Sequence, residues 1–196
     1  MRKEYMPVTK IQINASRAVA EEFMLRCASV LNPTFFAVVQ ELMEVLQKDG
    51  HIPSVYNVYS KPTNSHTSYG RLANVSLAAH AINTSTIFME CIDRRMPLDQ
   101  LTMIACLGHD IGKIPRYLKL VDGTYSRIKH ARASALVVQD LIGARIPLQQ
   151  AELIVDAIRF HHENGSGLIW EKVVNADRRA REREEFTIIT SGGITK

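Results

Sequence analysis

Apolar residues recur at helical spacing through most of the chain, and this periodicity constrains the fold more than any other feature of the sequence. A first helix is predicted from about Ser16 to Leu31, with Val19, Phe23 and Leu25 among its apolar positions. The strict alternation of apolar and polar residues that half-buried strands require is hard to find anywhere. The sequence therefore predicts an all-α fold, a bundle of packed helices.

Start and stop signals divide this pattern into separate helices. Asn32 and Pro33 provide an N-cap followed by proline at the first helical position, and the second helix is expected to end near Gly50. Residues 50–68, rich in Pro, Ser, Thr, Asn and Tyr, predict a long connection. Further helices are predicted from Leu72 through "LANVSLAAHAINTSTIFMECI", from Pro97 to His109-Asp110, from about His130 to Ile142 before Gly143, from Pro147 to His161-His162, and from Leu168 to Glu185.

The long connection is the predicted boundary between two parts of the chain. Residues 1–60 would form an N-terminal helical element of unknown role, and residues 61–186 would form the main domain. A chain of 196 residues suits one domain of ordinary size with an appended element. Residues 187–196 are polar and contain glycine, so we expect a frayed tail or the cut edge of a longer protein.

The composition indicates a globular protein outside the membrane, with 46% hydrophobic residues and no apolar stretch approaching the length of a membrane span. We expect a cytoplasmic location, because Pro7 and the polar residues after it interrupt any signal-peptide core. Cys27, Cys91 and Cys106 are odd in number and lie in apolar sequence, which favours buried reduced thiols. A formal net charge of +4 leans slightly toward anionic partners.

Histidines and aspartates are the candidate functional residues. The residues concerned lie on predicted helices or at their ends: His80, His109, Asp110, His130, His161, His162 and Asp177. Neutral imidazole and carboxylate both offer lone pairs, and a packed helical scaffold can direct several of them at one divalent cation. Since these residues are far apart in sequence, periodicity alone does not show that they meet.

Each candidate also has a purely structural interpretation. His80 lies in an apolar helix, where a lone histidine is usually a hydrogen-bonded core residue, and His109 suits the carboxyl end of a helix. Asp177 precedes a charged run in which Arg181 and Glu185 are spaced for an i,i+4 salt bridge. We interpret that arginine run as a salt-bridged surface helix, with a phosphate-binding strip as the alternative.

The order of these residues resembles that of the HD superfamily of metal-dependent phosphohydrolases. His80, the "GHDIGK" segment with His109 and Asp110, and Asp177 within "VVNADRRAR" reproduce its H…HD…D pattern. The segments "KHARASALVVQDL" and "IVDAIRFHHENGSG" are similar to the extra histidine segments of the dinuclear branch, which includes HD-GYP phosphodiesterases and is related to HD-type ribonucleases. The resemblance covers roughly residues 70–185 and implies the HD helical bundle.

The resemblance also implies divalent metal, with two ions per chain. It assigns one ion to His80, His109, Asp110 and Asp177. It assigns the other to His130 and His161, with Asp110 as a bridge. These nitrogen-rich ligands favour manganese, iron, nickel or zinc over calcium.

Two further roles accompany that assignment. Lys113 follows Asp110 by about one helical turn, and its ammonium is expected to neutralise a substrate phosphate, so Asp110 and Lys113 are the predicted catalytic residues. His162 is expected to be an outer-shell or substrate contact.

The sequence departs from the HD-GYP pattern at two places. Ser76 stands where the three-metal enzymes have a glutamate, so no third metal is expected. The segment after His161-His162 lacks the Gly-Tyr-Pro loop, so specificity for cyclic-di-GMP is not transferred. The resulting hypothesis is a metal-dependent phosphohydrolase acting on a nucleotide, cyclic nucleotide or nucleic acid. The alternative is an HD module that binds such a ligand as the sensory or docking part of a larger protein.

Overall fold

The computed structural model describes residues 10–55, 67–92 and 96–192, and every regular element within those ranges is a helix. The prediction of an all-α fold is confirmed. The elements are α1 (Arg17–Ala28), α2 (Pro33–Asp49), α3 (Ser68–Leu72), α4 (Leu77–Glu90), α5 (Pro97–Gly108), α6 (Pro115–Leu118), α7 (Arg127–Ile142), α8 (Leu148–Arg159) and α9 (Leu168–Gly192), with 3-10 turns at Ile111–Lys113 and Gly143–Arg145.

Polar side chains at the helix starts explain several of these bounds. The Asn32 side chain accepts a hydrogen bond from the main-chain N–H of Phe35, and Pro33 follows in the first turn. Ser126 caps α7 in the same way, through the N–H of Lys129. At the other end of α7, Gly143 has a φ of 52°, which only glycine adopts without strain.

The core is continuous from the N-terminal helices to the last one. α4 packs against α5 and α9, α5 also contacts α8 and α9, and α7 pairs with α8. Leu42 and Leu46 of α2 are fully buried in the same cluster as Ile104 of α5 and Ile158 of α8. The proposed boundary near residue 60 lies outside the described residues, and the domain division stays a prediction.

Besides shifts of one to three residues at several helix ends, the helix bounds differ from the predicted ones at two places. The single helix expected from Leu72 is split, because α3 ends there and Ser76 starts α4 by accepting a hydrogen bond from the N–H of Ala79. The last helix continues beyond Glu185 to Gly192, so residues 187–192 are helical.

Leu25, one of the apolar positions of α1, is 74% exposed. The prediction of buried thiols is wrong for Cys91, which is exposed, whereas Cys27 and Cys106 are buried; all three are free thiols. None of the helices in the described part of the chain is long and apolar enough to cross a membrane.

Segments on either side of α1 and α2 are tied to the start of α4. The main-chain N–H of Ser54 donates to the carbonyl of Val75, and the N–H of Leu77 donates to the carbonyl of Ile52. The N–H of Ser76 donates to the carbonyl of Ile13. These contacts bring residues 10–13 and 50–55 close to the helix that carries His80.

Candidate metal centre

Five helices meet where the predicted ligands lie. The structure brings all seven candidate residues of the sequence together: His80 on α4, His109 at the end of α5 with Asp110 after it, His130 in the first turn of α7, His161 and His162 just after α8, and Asp177 on α9. Except for His162 and Asp177, these residues are buried.

Asp110 lies between two sets of imidazole nitrogens. Its Oδ1 atom is 3.0 Å from Nε2 of His130 and 3.6 Å from Nε2 of His161. Its Oδ2 atom is 3.4 Å from Nε2 of His109 and 3.7 Å from Nε2 of His80. The two oxygens of one carboxylate therefore face different histidine pairs, as a bridging ligand requires.

Asp177 completes one side of this arrangement. Its Oδ1 atom is 3.0 Å from Nε2 of His80 and 3.8 Å from Nε2 of His109. On the other side, one ligand atom each from Asp110, His130, His161 and His162 lies within 4.8 Å of the others. The chain thus offers two adjoining sets of nitrogen and oxygen ligands.

The ring orientation of each buried histidine is fixed through its Nδ1 atom. Nδ1 lies 2.8 Å from the carbonyl of Cys106 in His109, 2.9 Å from that of Ser126 in His130, and 2.7 Å from that of Ile158 in His161. A carbonyl only accepts hydrogen bonds, so Nδ1 carries the proton in each ring and Nε2 presents a lone pair to the centre. Second partners of this kind are typical of metal-binding histidines.

The converging atoms fit a cation better than they fit each other. Within the described residues, Nε2 of His80, His109 and His161 and Oδ1 of both aspartates are buried without a hydrogen-bond partner. Buried polar atoms without partners are costly, and lone pairs facing lone pairs repel. Positive charge placed among these atoms would satisfy all of them, and the donor types suit a divalent transition metal.

The electrostatics of the cluster favour neutral histidine on one side and ionised carboxylates throughout. Burial lowers the pKa of His130 to about 4, although Asp110 partly opposes that shift. Burial, together with the neighbouring His161 ring, lowers the pKa of His162 to about 3. His80 behaves differently: burial and Arg181 lower its pKa, but the neighbouring carboxylates outweigh them and raise it.

Both aspartates are held in the ionised form. Burial raises the pKa of the Asp110 carboxyl, but the charge of Lys113 and the contacts with His109 and His130 outweigh burial and hold that pKa well below its usual range. Burial also raises the pKa of the Asp177 carboxyl, but its contacts with His80 and His109 and the charge of Arg181 outweigh burial and lower that pKa. Anionic ligands are thus available at neutral pH without a proton being displaced.

Lys113 is buried beside the centre. Its Nζ atom donates to Oδ2 of Asp110 at 2.5 Å and to the carbonyl of Ser54 at 2.8 Å. Burial lowers the pKa of Lys113, and Asp110 opposes this. The lysine that sequence spacing placed next to Asp110 is therefore in direct contact with it.

Gly112 allows the turn after Asp110 to lie directly on α7. A Cβ atom at this position would collide with the carbonyl oxygen of His130 and the main-chain nitrogen of Ser134. The N–H of Gly112 instead donates to Oγ of Ser134 at 2.8 Å. Glycine therefore sets the distance between Asp110 and the helix that carries His130.

Two charged residues that contact the cluster were missed in the sequence. Glu184 is fully buried, and its Oε1 atom lies 2.9 Å from Nδ1 of His80. Arg181 donates to Oγ and to the carbonyl of Ser54, and its Nη2 atom is 3.5 Å from Oδ2 of Asp110.

The expected surface pair of Arg181 with Glu185 does not form, because Glu185 binds Arg71 and Ser68. A signal for Glu184 was present. Val173, Ala180 and Glu184 continue one helical stripe, and the first two are fully buried.

Three further histidines differ in their relation to the centre. His51 is exposed in the turn after α2, as expected for a surface histidine, and His66 lies outside the described residues. His162 is exposed, with its Nε2 atom 3.1 Å from Nε2 of His130. Its role as an outer-shell or substrate contact stays a prediction.

Comparison with known proteins bears on the family alone. The family model of the HD domain matches residues 77–189, more than half of the chain. Neither the curated proteins nor the solved structures yielded a significant match.

Proposed function

Because the chain belongs to the HD domain family of metal-dependent phosphohydrolases, we propose that it hydrolyses a phosphate ester of a nucleotide, a cyclic nucleotide or a nucleic acid. The observation that carries this proposal is the position of Asp110, whose two carboxylate oxygens face separate pairs of histidine Nε2 atoms. The family supplies the reaction type, and the geometry supplies a ligand set suited to it.

In this proposal His80, His109 and Asp177 hold one divalent cation, His130 and His161 hold a second, and Asp110 lies between them. Divalent cations held there would supply a nucleophile from water near neutral pH and neutralise charge on the phosphate. The lowered pKa values of both carboxyls support this assignment, because the ligands are already anionic.

Lys113 is the proposed phosphate-binding cation. An ammonium has three N–H donors, and the contacts with Asp110 and the carbonyl of Ser54 use two of them. We propose that the third N–H donates to a phosphate oxygen bound beside Asp110. A lysine in a buried site stabilises developing negative charge more strongly than one in water.

The choice of a nucleotide or nucleic-acid substrate rests on charge. The chain carries a net charge of +4, and Arg181 brings a second cation to the centre with its side chain 20% exposed. Guanidinium and ammonium groups are the usual partners of phosphate. The exposed ring of His162 is proposed to contact the same substrate.

The proposal is tested by measuring hydrolysis after the protein has been stripped of metal and reloaded with a defined one. Metal-free protein would be loaded with manganese, iron, nickel or zinc and assayed on a phosphomonoester, an activated phosphodiester, a cyclic nucleotide and single-stranded DNA and RNA. We expect hydrolysis of at least one substrate class, abolished in Asp110→Asn and retained in Asp140→Asn, whose carboxylate is exposed on α7. Metal loading and nucleotide binding without turnover of any substrate would instead favour a sensory or docking module.

A further inference from the structure

We propose that Glu184 is a positioning residue that fixes the ring of His80 for metal binding and thereby sets the affinity of that side of the centre. The inference rests on the proposed metal site but not on hydrolysis. It concerns the contact between Oε1 of Glu184 and Nδ1 of His80, 2.9 Å apart and fully buried.

Comparison of His80 with His130 isolates this contact. Each is the fourth residue of its helix, and each main-chain N–H donates to the carbonyl of the capping serine, Ser76 or Ser126. The ring of His130 also uses the Ser126 carbonyl through Nδ1. The ring of His80 turns to Glu184 instead, so its orientation depends on a side chain of another helix.

Glu184 is itself held in place. Its Oε1 atom accepts a second hydrogen bond from Nδ2 of Asn83 at 2.9 Å, and Nη1 of Arg181 lies 3.3 Å from its Oε2 atom. Asn83 is held by the main chain of Gln12, donating to its carbonyl at 2.7 Å and accepting from its N–H at 2.9 Å. A chain of hydrogen bonds therefore runs from residue 12 to the proposed ligand.

A carboxylate at this position does more than a carbonyl. The carboxylate accepts a hydrogen bond from the Nδ1–H of His80, which leaves the Nε2 lone pair for the cation. Its negative charge also increases the basicity of the ring. Loss of such a partner typically weakens metal binding by about 10- to 100-fold. In the other three buried histidines the partner of Nδ1 is a main-chain carbonyl, which a substitution cannot remove.

Zinc affinity, measured on metal-free protein by competition with a chelator, tests this role without any substrate. Glu184→Leu removes the acceptor, and we expect zinc to bind about 10- to 100-fold more weakly. Glu184→Gln keeps an acceptor oxygen but loses the charge, so we expect a smaller loss than in Glu184→Leu, less than about tenfold. The matched control is Glu185→Gln, the same change one residue along α9 in a carboxylate that pairs with Arg71 instead, and it should bind like the wild type.

The Nδ1 proton of His80 gives a second readout, from NMR of histidine-labelled, zinc-loaded protein. We expect a hydrogen-bonded, downfield resonance in the wild type, displaced upfield in Glu184→Gln and lost in Glu184→Leu. Should Glu184→Leu not fold, Glu184→Gln decides: wild-type affinity together with an unmoved resonance overturns the inference. Zinc binding without hydrolysis in the wild type would overturn the proposed function alone, whereas a wild type that binds no zinc would overturn both.

Discussion

Replacing Lys113 with methionine should move metal affinity and turnover in opposite directions. The substitution keeps an unbranched side chain of similar length but removes the charge that lies 2.5 Å from Oδ2 of Asp110. In the proposed enzyme the Lys113 charge stabilises negative charge on the phosphate, yet it also competes with a metal cation for the Asp110 carboxylate. Both effects follow from one contact.

The size of the stability change can be worked from the hydrogen bonds. A bond between charged groups contributes about 1.5–3 kcal/mol. The second partner, the Ser54 carbonyl, still accepts from Nη2 of Arg181 at 3.2 Å, so its loss adds little. Metal-free Lys113→Met should therefore be about 1.5–3 kcal/mol less stable than the wild type, and metal-loaded protein should lose less because a cation replaces the ammonium.

The same coupling predicts tighter metal binding. If about 1.4 kcal/mol of the loss is confined to the metal-free state, zinc binds about tenfold more tightly to the variant. Turnover should nevertheless fall by about ten- to a thousandfold, since one cation facing the transition state is removed.

Urea unfolding with and without zinc, chelator competition and steady-state kinetics measure the three quantities. Lys129→Met is the matched control, because that lysine pairs with Asp122 on the surface at 2.6 Å. Wild-type turnover in Lys113→Met, or weaker zinc binding than in the wild type, would refute the reasoning.

Three further outcomes are expected. Asp110→Asn should lower metal content in both ligand sets by elemental analysis, whereas His161→Ala should lower it in one; equal losses would contradict the bridging role. Gly112→Ala should cost at least about 2 kcal/mol in urea unfolding, because its Cβ meets the main chain of α7, and an unchanged midpoint would show that the turn can move. The pKa values of Asp110 and Glu184 lie below their usual ones, so the ionised carboxylates stabilise the folded protein above about pH 4, and this stabilisation is lost as pH falls below that value. Metal-free protein should therefore lose free energy of unfolding on acidification below about pH 4. A free energy of unfolding that does not change with pH in this range would count against these ion pairs.

Much of the fold could be predicted because local chemistry determines it. Asn32 and Pro33 start α2 through contacts within one turn of chain, and Gly143 ends α7 through its positive φ. The break before α4 was harder, because the apolar pattern runs through it and only the capping by Ser76 marks it. The buried side of α1 carries Ala20, Phe23 and Cys27, and apolar spacing alone does not show that Leu25 lies on the other side.

The candidate ligands could be named from the order of their motifs, but their supports could not. Arg181 and Glu184 look like members of a solvated charged helix, since i,i+4 spacing is the same for a surface pair and for a pair turned inward. Their burial follows from α4 and the Ser54 segment packing over them, which are contacts across more than 100 residues. The helical stripe through Val173 and Ala180 indicates that Glu184 faces inward, but it does not show which distant segments pack over it.

The face of α9 that carries Asp177, Arg181 and Glu184 also links the centre to local unfolding. These residues are spaced i, i+4 and i+7, so lifting this one helix removes a proposed ligand and the support of His80 in a single event. Cations bound on that side would resist the opening by an amount that grows with metal concentration over the dissociation constant. Amide hydrogen exchange along α9 should therefore slow on metal loading, out to its last turns, and report occupancy of the centre from a helix end well removed from it.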